Sequence, residues 1–271
     1  MKLCLCTLAC PTWTFQQIVD AAAQAGLGGI DFRGIASEID ITHSPQFTTD
    51  LPETMRVLSE KQLRLPCFNL SAALITPDAD RWQEFVDETL RAARLARQTH
   101  TKFLRVFGGA IPKEMTRSQA RALGREHLDQ LCDIALEHDS LIVLETHDDW
   151  ATSSQVLDLL DNIPPERVGV LWDFEHTIRR GESCYDAARA MAPYLKHVQV
   201  KDSYLDDGRV VATLLGEGDL PIDDVLAALK KINYAGWYSL ETEKRWRADA
   251  PEPEESIPQF AAFMSSRLSP A

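Results

Sequence analysis

The sequence predicts an α/β fold, a single (β/α)8 barrel over residues 1–271, and three observations predict it. Short apolar runs alternate with longer amphipathic stretches from end to end, eight of each. No Pro-, Gly- or Ser-rich linker and no low-complexity tract divides the chain. Its 271 residues are about the length of one such barrel. A doubly wound open sheet is the runner-up, but it would want a Gly-rich turn after an early strand. The glycines of GLGGID (26–31) precede their strand and are expected to end the first helix.

The elements follow in order. KLCLCT (2–7) is a buried first strand, leading through a turn at Pro11 to a helix over 13–25 started by Thr12 or Thr14. GGIDFR (28–33) is the second strand, with a helix over roughly 50–62, and RLPCFNL (64–70) the third, with a helix over 78–99. KFLRVFG (102–108) is the fourth; its helix, 116–138, opens on a capping box of Thr116 and Gln119. LIVLE (141–145) precedes a helix over 152–161, stopped by Pro164-Pro165, and VGVLWD (168–173) precedes one over 183–192. HVQVKD (197–202) is followed by a helix over 221–232 with Pro221 in its first turn. WYSLE (237–241) is the last strand and 254–267 the last helix.

Composition narrows the function. The formal charge of −13, from 28 basic and 41 acidic residues, repels phosphate backbones, so no nucleic-acid partner is expected. Six cysteines, at 4, 6, 10, 67, 132 and 184, form no CxxC pair and read as small apolar core residues of a reducing compartment. MKLCLCTLAC faintly resembles a lipoprotein signal, but its apolar run is too short. No segment reaches membrane-spanning length, so a cytoplasmic protein with no membrane partner is expected.

In a barrel the C-terminal strand ends converge on one face, so the polar residues there can form a site although distant in sequence. Strand five ends in Glu145, strand six in Asp173 and strand eight in Glu241, while strand seven begins with His197 and ends in Lys201-Asp202. Buried carboxylates crowded together need a cation. Three carboxylates and an imidazole suit one divalent ion, Mn, Co, Zn or Mg. His197 is the weak member: it lies below the rim, on the same strand face as Gln199 and Lys201. A strand-end acid is often only the cap of the next helix, and Asp148 and Asp202 are read that way. Glu145, Asp173 and Glu241 each end an apolar run and are followed by polar or aromatic groups, a placement suited to lining a cavity.

LIVLETHDDW, VGVLWDFEHT, KHVQVKD, LLGEGDLPIDDVLAAL and WYSLETEKRW, in that order, resemble the sugar isomerase and epimerase family with the xylose-isomerase-like TIM barrel. That family also contains inosose isomerases and dehydratases, ketose 3-epimerases, hydroxypyruvate isomerase and, more distantly, endonuclease IV. MKLCLC and GIDFRGI fit its first two strands, so the resemblance covers nearly the whole chain. It implies that Glu145, Asp173, His197 and Glu241 hold the ion, that His176 faces the substrate, and that Glu217 or Arg209, around the GEGDLP turn, reaches the mouth. Thr146-His147-Asp148 departs from the ketose 3-epimerases just after the first glutamate, which leaves the substrate open, with His147 either touching substrate or capping the loop. The early strand ends offer Arg33, Asn69 and Phe107 rather than the further ligands of an endonuclease IV.

The reaction implied is isomerisation or epimerisation of a small sugar or cyclitol through an enediolate, with Glu145 and Glu241 exchanging protons. Loss of a β-leaving group would make the same site a dehydratase or lyase, and a non-catalytic sugar-binding barrel or subunit is the third reading. Arg105 and Lys201 are candidates for holding substrate oxygens, with Trp172 and Trp246 as apolar walls. Their alternatives are a buried acid for Arg105, Asp202 for Lys201 and a core position for the tryptophans. GGA (108–110) lacks the Gly-rich loop and helix start that would imply a phosphorylated substrate. RWRADAPEPEESIPQF (245–260) is expected to cover the site, to meet a second subunit of a homo-oligomer, or only to connect to the last helix.

Overall fold

The computed structural model describes residues 2–268. Along the chain run β1 (Leu3–Cys6), α1 (Phe15–Gln24), β2 (Gly29–Asp31), α2 (Leu51–Glu60), β3 (Cys67–Ala73), α3 (Ala79–Thr99), β4 (Phe103–Phe107), α4 (Arg117–Glu137), β5 (Leu141–Glu145) and α5 (Ser153–Leu160). There follow β6 (Val168–Asp173), α6 (Phe174–Arg179), α7 (Cys184–Met191), β7 (Leu195–Val200), β8 (Asp202–Asp206), β9 (Arg209–Thr213), α8 (Ile222–Lys231), β10 (Trp237–Leu240) and α9 (Pro253–Leu268). The alternation read from the apolar runs is therefore present, every predicted strand and helix has a counterpart, and the helix starts follow local chemistry. Thr14 with Gln17, Thr116 with Gln119 and Thr152 with Gln155 each form a reciprocal capping box that satisfies otherwise orphaned first-turn N–H groups.

The chain divides into two compact units. One comprises the residues up to Pro66, 199–227 and those from Ala235; the other comprises Cys67–Val198 and Ala228–Tyr234. In the first unit β1 lies between β2 and β10, all parallel, with Cys4 level with both Gly29 and Ser239. In the second, β3, β4, β5 and β6 pair in sequence order, all parallel, and β7 follows β6. The register there puts Phe107 level with Glu145, and Glu145 level with Leu171. The interior of this sheet is apolar: Cys67, Val143 and Leu171 cluster with Phe103 packed against them. Burial of such side chains is worth about 1.5–3 kcal/mol each.

Three features depart from the sequence expectation. The third strand begins at Cys67 rather than residue 64, because Pro66 has no N–H to give to a ladder; Arg64 keeps only an isolated bridge to Gly29. Six-residue α6 is too short to leave a periodic signal. The hairpin of β8 and β9 occupies what reads as a connection, although Asp207-Gly208, both at positive φ, is a strong hairpin-turn signal. All six cysteines are buried thiols, and burial pushes Cys10 and Cys132 up to about 12. Among the described residues no helix is long and apolar enough to cross a membrane.

Candidate active site

In the second unit the site begins with Glu145, the last residue of β5, 2% exposed. Arg105, two residues before the end of β4 and 1% exposed, sets its Nε 2.9 Å from Glu145 Oε2. The guanidinium lies over the Phe107 ring, 3.9 Å from its centroid, and donates through Nη1 to the Leu70 carbonyl. The alternative reading of Arg105, as partner of a buried acid, is what the structure contains.

Asp173 ends β6, is fully buried, and also caps α6 by accepting from the Glu175 N–H. The expected stretch of polar residues before the next helix is thus absent: α6 starts at once. Thr146 stitches the two strand ends together, accepting from the Asp173 N–H and donating to the Asp173 carbonyl. One turn into α6, His176 Nε2 sits 3.4 Å from Asp173 Oδ2. Its ring meets that of His147 edge to face at 4.3 Å, and ligand atoms of Glu145, His147 and His176 lie within 4.8 Å of one another.

His147 is tied through Nδ1 to Asp148 Oδ1 at 3.0 Å. Burial pushes its imidazolium down, but the Asp148 hydrogen bond and the charges of Glu145, Asp148 and Asp173 outweigh this and lift it to about 9. Asp148 is lowered in turn by the His147 hydrogen bond. The expectation that Asp148 is a helix-entry acid is corrected here, since Thr152 caps α5 and Asp148 stands in the left-handed region at φ 51°.

The loop is braced on several sides. Arg180 donates to the Asp148 carbonyl, Arg117 to that of Asp149, and the Asp149 side chain accepts from the Ile111 N–H. Trp150 rests on Gly108, where a Cβ would come within 2.3 Å of the indole.

In the first unit the focus is Glu241, which follows β10, is 3% exposed, and donates its N–H to the Val200 carbonyl. Gln199 Nε2 donates to Oε1 at 2.6 Å, and Lys201 Nζ sits 2.9 Å from Oε2. Lys201 also reaches Glu243, 3.1 Å away, and Glu243 in turn pairs with Arg247, which donates to the Val210 carbonyl of β9. Asp202, offered as the partner of Lys201 and as a helix-entry acid, does neither. Its oxygens take the N–H groups of Gly216, Gly218 and Leu220 and so hold the Gly-x-Gly turn, where a Cβ on Gly218 would strike the carboxylate.

The remaining candidates lie elsewhere. Glu217 is exposed in that turn, Arg209 is exposed on the hairpin and pairs with Asp249, and Trp246 is 62% exposed. Trp172 is core, with Nε1 bonded to Thr177. His197 is fully buried, and its ring packs 6.2 Å from that of Phe103, the first residue of β4. Glu145 is level with Phe107, the last residue of β4. Four residues of strand, roughly 13 Å, separate those two levels, so the structure does not bring His197 to Glu145 and Asp173. Sequence reasoning missed Gln199 and Glu243 as partners of the strand-end acids. The alternation that put Gln199 on the face of Lys201 was the available signal.

The donor set fits a divalent ion. In the second unit Glu145 and Asp173 are two buried carboxylates, and Glu145, His147 and His176 bring ligand atoms within 4.8 Å of one another.

Residues 19–267 match the family described as xylose isomerase-like TIM barrel. A 3-dehydroshikimate dehydratase of Bacillus anthracis is 24% identical over 74% of this chain and 72% of its own. An inosose dehydratase of the same species is 29% identical over 34% of this chain and 36% of its own. The fold superposes on the crystal structure of the probable 3-DHS dehydratase AsbF of B. anthracis with a TM-score of 0.81, at 18% identity, covering 99% of this chain and 100% of that one. It also superposes on the IOLI protein with a bound zinc atom, TM-score 0.77, at 18% identity over the full length of both chains.

Proposed function

The chain belongs to the xylose isomerase-like TIM barrel family, and from that premise we propose that it is a metal-dependent dehydratase removing water from a polyhydroxylated cyclic ketone. The observation that carries the reading is the His147–Asp148 pair next to Glu145. Elimination needs an acid for the departing hydroxyl as well as a base for the carbon next to the ketone, and His147 is a proton donor of a kind that a pair of glutamates alone does not supply. The named relatives whose sequences match, a 3-dehydroshikimate dehydratase and inosose dehydratases, support elimination over the isomerisation expected from the sequence.

Glu145 and Asp173 would hold the ion, which when bound supplies Lewis-acid polarisation of the ketone. The chain's own groups do the rest. Glu145, beside the Arg105 guanidinium, accepts the proton from carbon. The His147 imidazolium, oriented by Asp148, protonates the leaving hydroxyl. Arg105, held by Glu145 through Nε and by the Leu70 carbonyl through Nη1, keeps a fixed positive charge beside Glu145.

The test is to incubate the protein and Mn with 3-dehydroshikimate, an inosose and a panel of keto sugars in D2O. The expected result is a conjugated product from 3-dehydroshikimate, formed about 100-fold more slowly by His147→Gln. Deuterium wash-in to a keto sugar with no loss of water from either cyclic ketone would sink the dehydratase reading, and no turnover or exchange at all would favour a non-catalytic barrel.

A further inference from the structure

The hairpin of β8 and β9 is a two-stranded sheet with no third strand beside it among the described residues, and a lone hairpin is marginally stable in water. It carries Tyr204 and Leu205, 40% and 50% exposed. Two contacts tie it to the segment after β10, where Trp246 is 62% exposed: Arg209 pairs with Asp249, and Arg247 donates to the Val210 carbonyl. Among the described residues of the first unit, these are the large apolar side chains left exposed. We infer that this surface binds a second copy of the chain, the two β8 strands pairing antiparallel about a two-fold axis at Leu205 to make one four-stranded sheet. The inference is independent of the reaction proposed above.

The register of the hairpin identifies the pairing edge. Asp206 faces Arg209 across the Asp207-Gly208 turn, Leu205 faces Val210 and Tyr204 faces Val211. In a two-residue hairpin the closing pair exchanges both backbone hydrogen bonds and the next pair exchanges neither. The N–H and C=O groups of Leu205 and Val210 therefore point outward, from opposite edges of the hairpin. Two contacts agree with this phase: Arg247 reaches the Val210 carbonyl from outside, and the carbonyl of Ser203, two residues before Leu205, accepts from the Asp219 N–H. No backbone group among the described residues bonds to the outward pair of Leu205. An open edge of this kind is a template for another strand.

A second copy fits this edge better than an unrelated strand. A two-fold axis at Leu205 makes the residue its own partner, so that its N–H and C=O are both satisfied by the same groups of the other chain. Because side chains alternate, Leu205 and Val210 of both copies fall on one face and form an apolar cluster. The same register sets Asp206 opposite the partner's Tyr204 rather than opposite another acid. Charge permits the meeting: residues 202–213 and 243–250 hold five acidic and four basic residues, a nearly neutral patch on a chain of net charge −13. The association also closes. With the outward Val210 carbonyl taken by Arg247, the far edge of the sheet is blocked and no third copy is added.

The experiment is sedimentation equilibrium of the full chain over about 1–100 μM, comparing the parent, Leu205→Lys, Leu205→Asp and an equimolar mixture of the two variants. The parent is expected to be a dimer at the upper concentrations. Each variant alone places like charges on the axis and should weaken association by about 100-fold or more, so that it sediments as a monomer. Its circular dichroism should stay that of the parent, because residue 205 is half exposed. The mixture should restore the dimer, since Lys on one copy then faces Asp on the other. A parent that stays monomeric at the highest concentration overturns the inference and leaves the patch to a partner of other chemistry; this measurement needs no variant to fold. A dimer that survives in both variants places the interface elsewhere and overturns it as well, as does a mixture that stays monomeric while both variants are folded.

Discussion

Glu145 and Glu241 are the same residue at the same kind of position, a parallel strand's carboxyl end, yet their surroundings divide the chemistry. Glu145 stands beside a guanidinium locked over Phe107, next to two imidazoles on braced backbone. Glu241 stands beside an amide and an ammonium, and its neighbour Glu243 leads through Arg247 to β9. Each carboxylate thus stands beside a cationic side chain, and the Glu145 side adds His147, whose imidazolium is lifted to about 9 by Asp148 and the nearby carboxylates. In the proposed reaction that asymmetry gives proton donation to the Glu145 side, through His147.

The largest expected effect breaks the ion pair that most resembles a closed unit. Arg105→Met leaves Glu145 buried without its guanidinium, and removal of one partner of such a pair costs about 3–5 kcal/mol. Lys201→Met is expected to cost clearly less, because Glu241 keeps the Gln199 hydrogen bond. Urea unfolding of both variants checks this. Equal losses would mean that the two glutamates are held alike and the comparison has no energetic content.

A smaller effect sharpens the loop side. Gly108→Ala puts a methyl within 2.3 Å of the Trp150 indole, so either the loop carrying His147 shifts or strand β4 does. Overpacking of this kind costs about 1–3 kcal/mol, and the dehydration rate should fall further than stability alone explains. A variant with normal turnover and full stability would show that the bracing by Gly108, Arg117 and Arg180 does not position His147.

How much of this was legible in the sequence follows from the same comparison. The strand-end acids were readable because an ionisable residue closing an apolar run stands out by burial cost alone. The partners were not. Arg105 lies two residues inside β4, and nothing local says whether its head reaches Leu70, Glu145 or water. His197 read as a ligand because histidine is the usual borderline donor, and its depth depends on register against strands remote in sequence, which period-2 alternation does not supply. Gln199 was passed over because an amide carries no charge to flag it. The hairpin and α6 escaped because both are shorter than the windows in which periodicity can be counted.

The smallest effect concerns two histidines of the second unit whose surroundings push them in opposite directions. His127 stacks on Trp82 at 3.6 Å and bonds through Nδ1 to the Leu74 carbonyl, far in sequence from the strand-end acids, and burial lowers its pKa from 6.5. His147, among carboxylates, is raised to about 9. A histidine depressed in the folded state contributes stability that is full above the unfolded value, near 6.5, and is lost as pH falls below it through the folded value. The raised one contributes below 6.5 and loses that contribution as pH rises through 9. Between pH 7 and pH 5 the unfolding free energy should therefore lose a component due to His127. His127→Asn, which can keep the bond to Leu74 without a titrating ring, should show a shallower fall over that interval than the parent. Identical slopes would mean that the stacked imidazole is not held neutral by its burial, and that the contrast between the two histidines arises from the carboxylates at His147 alone.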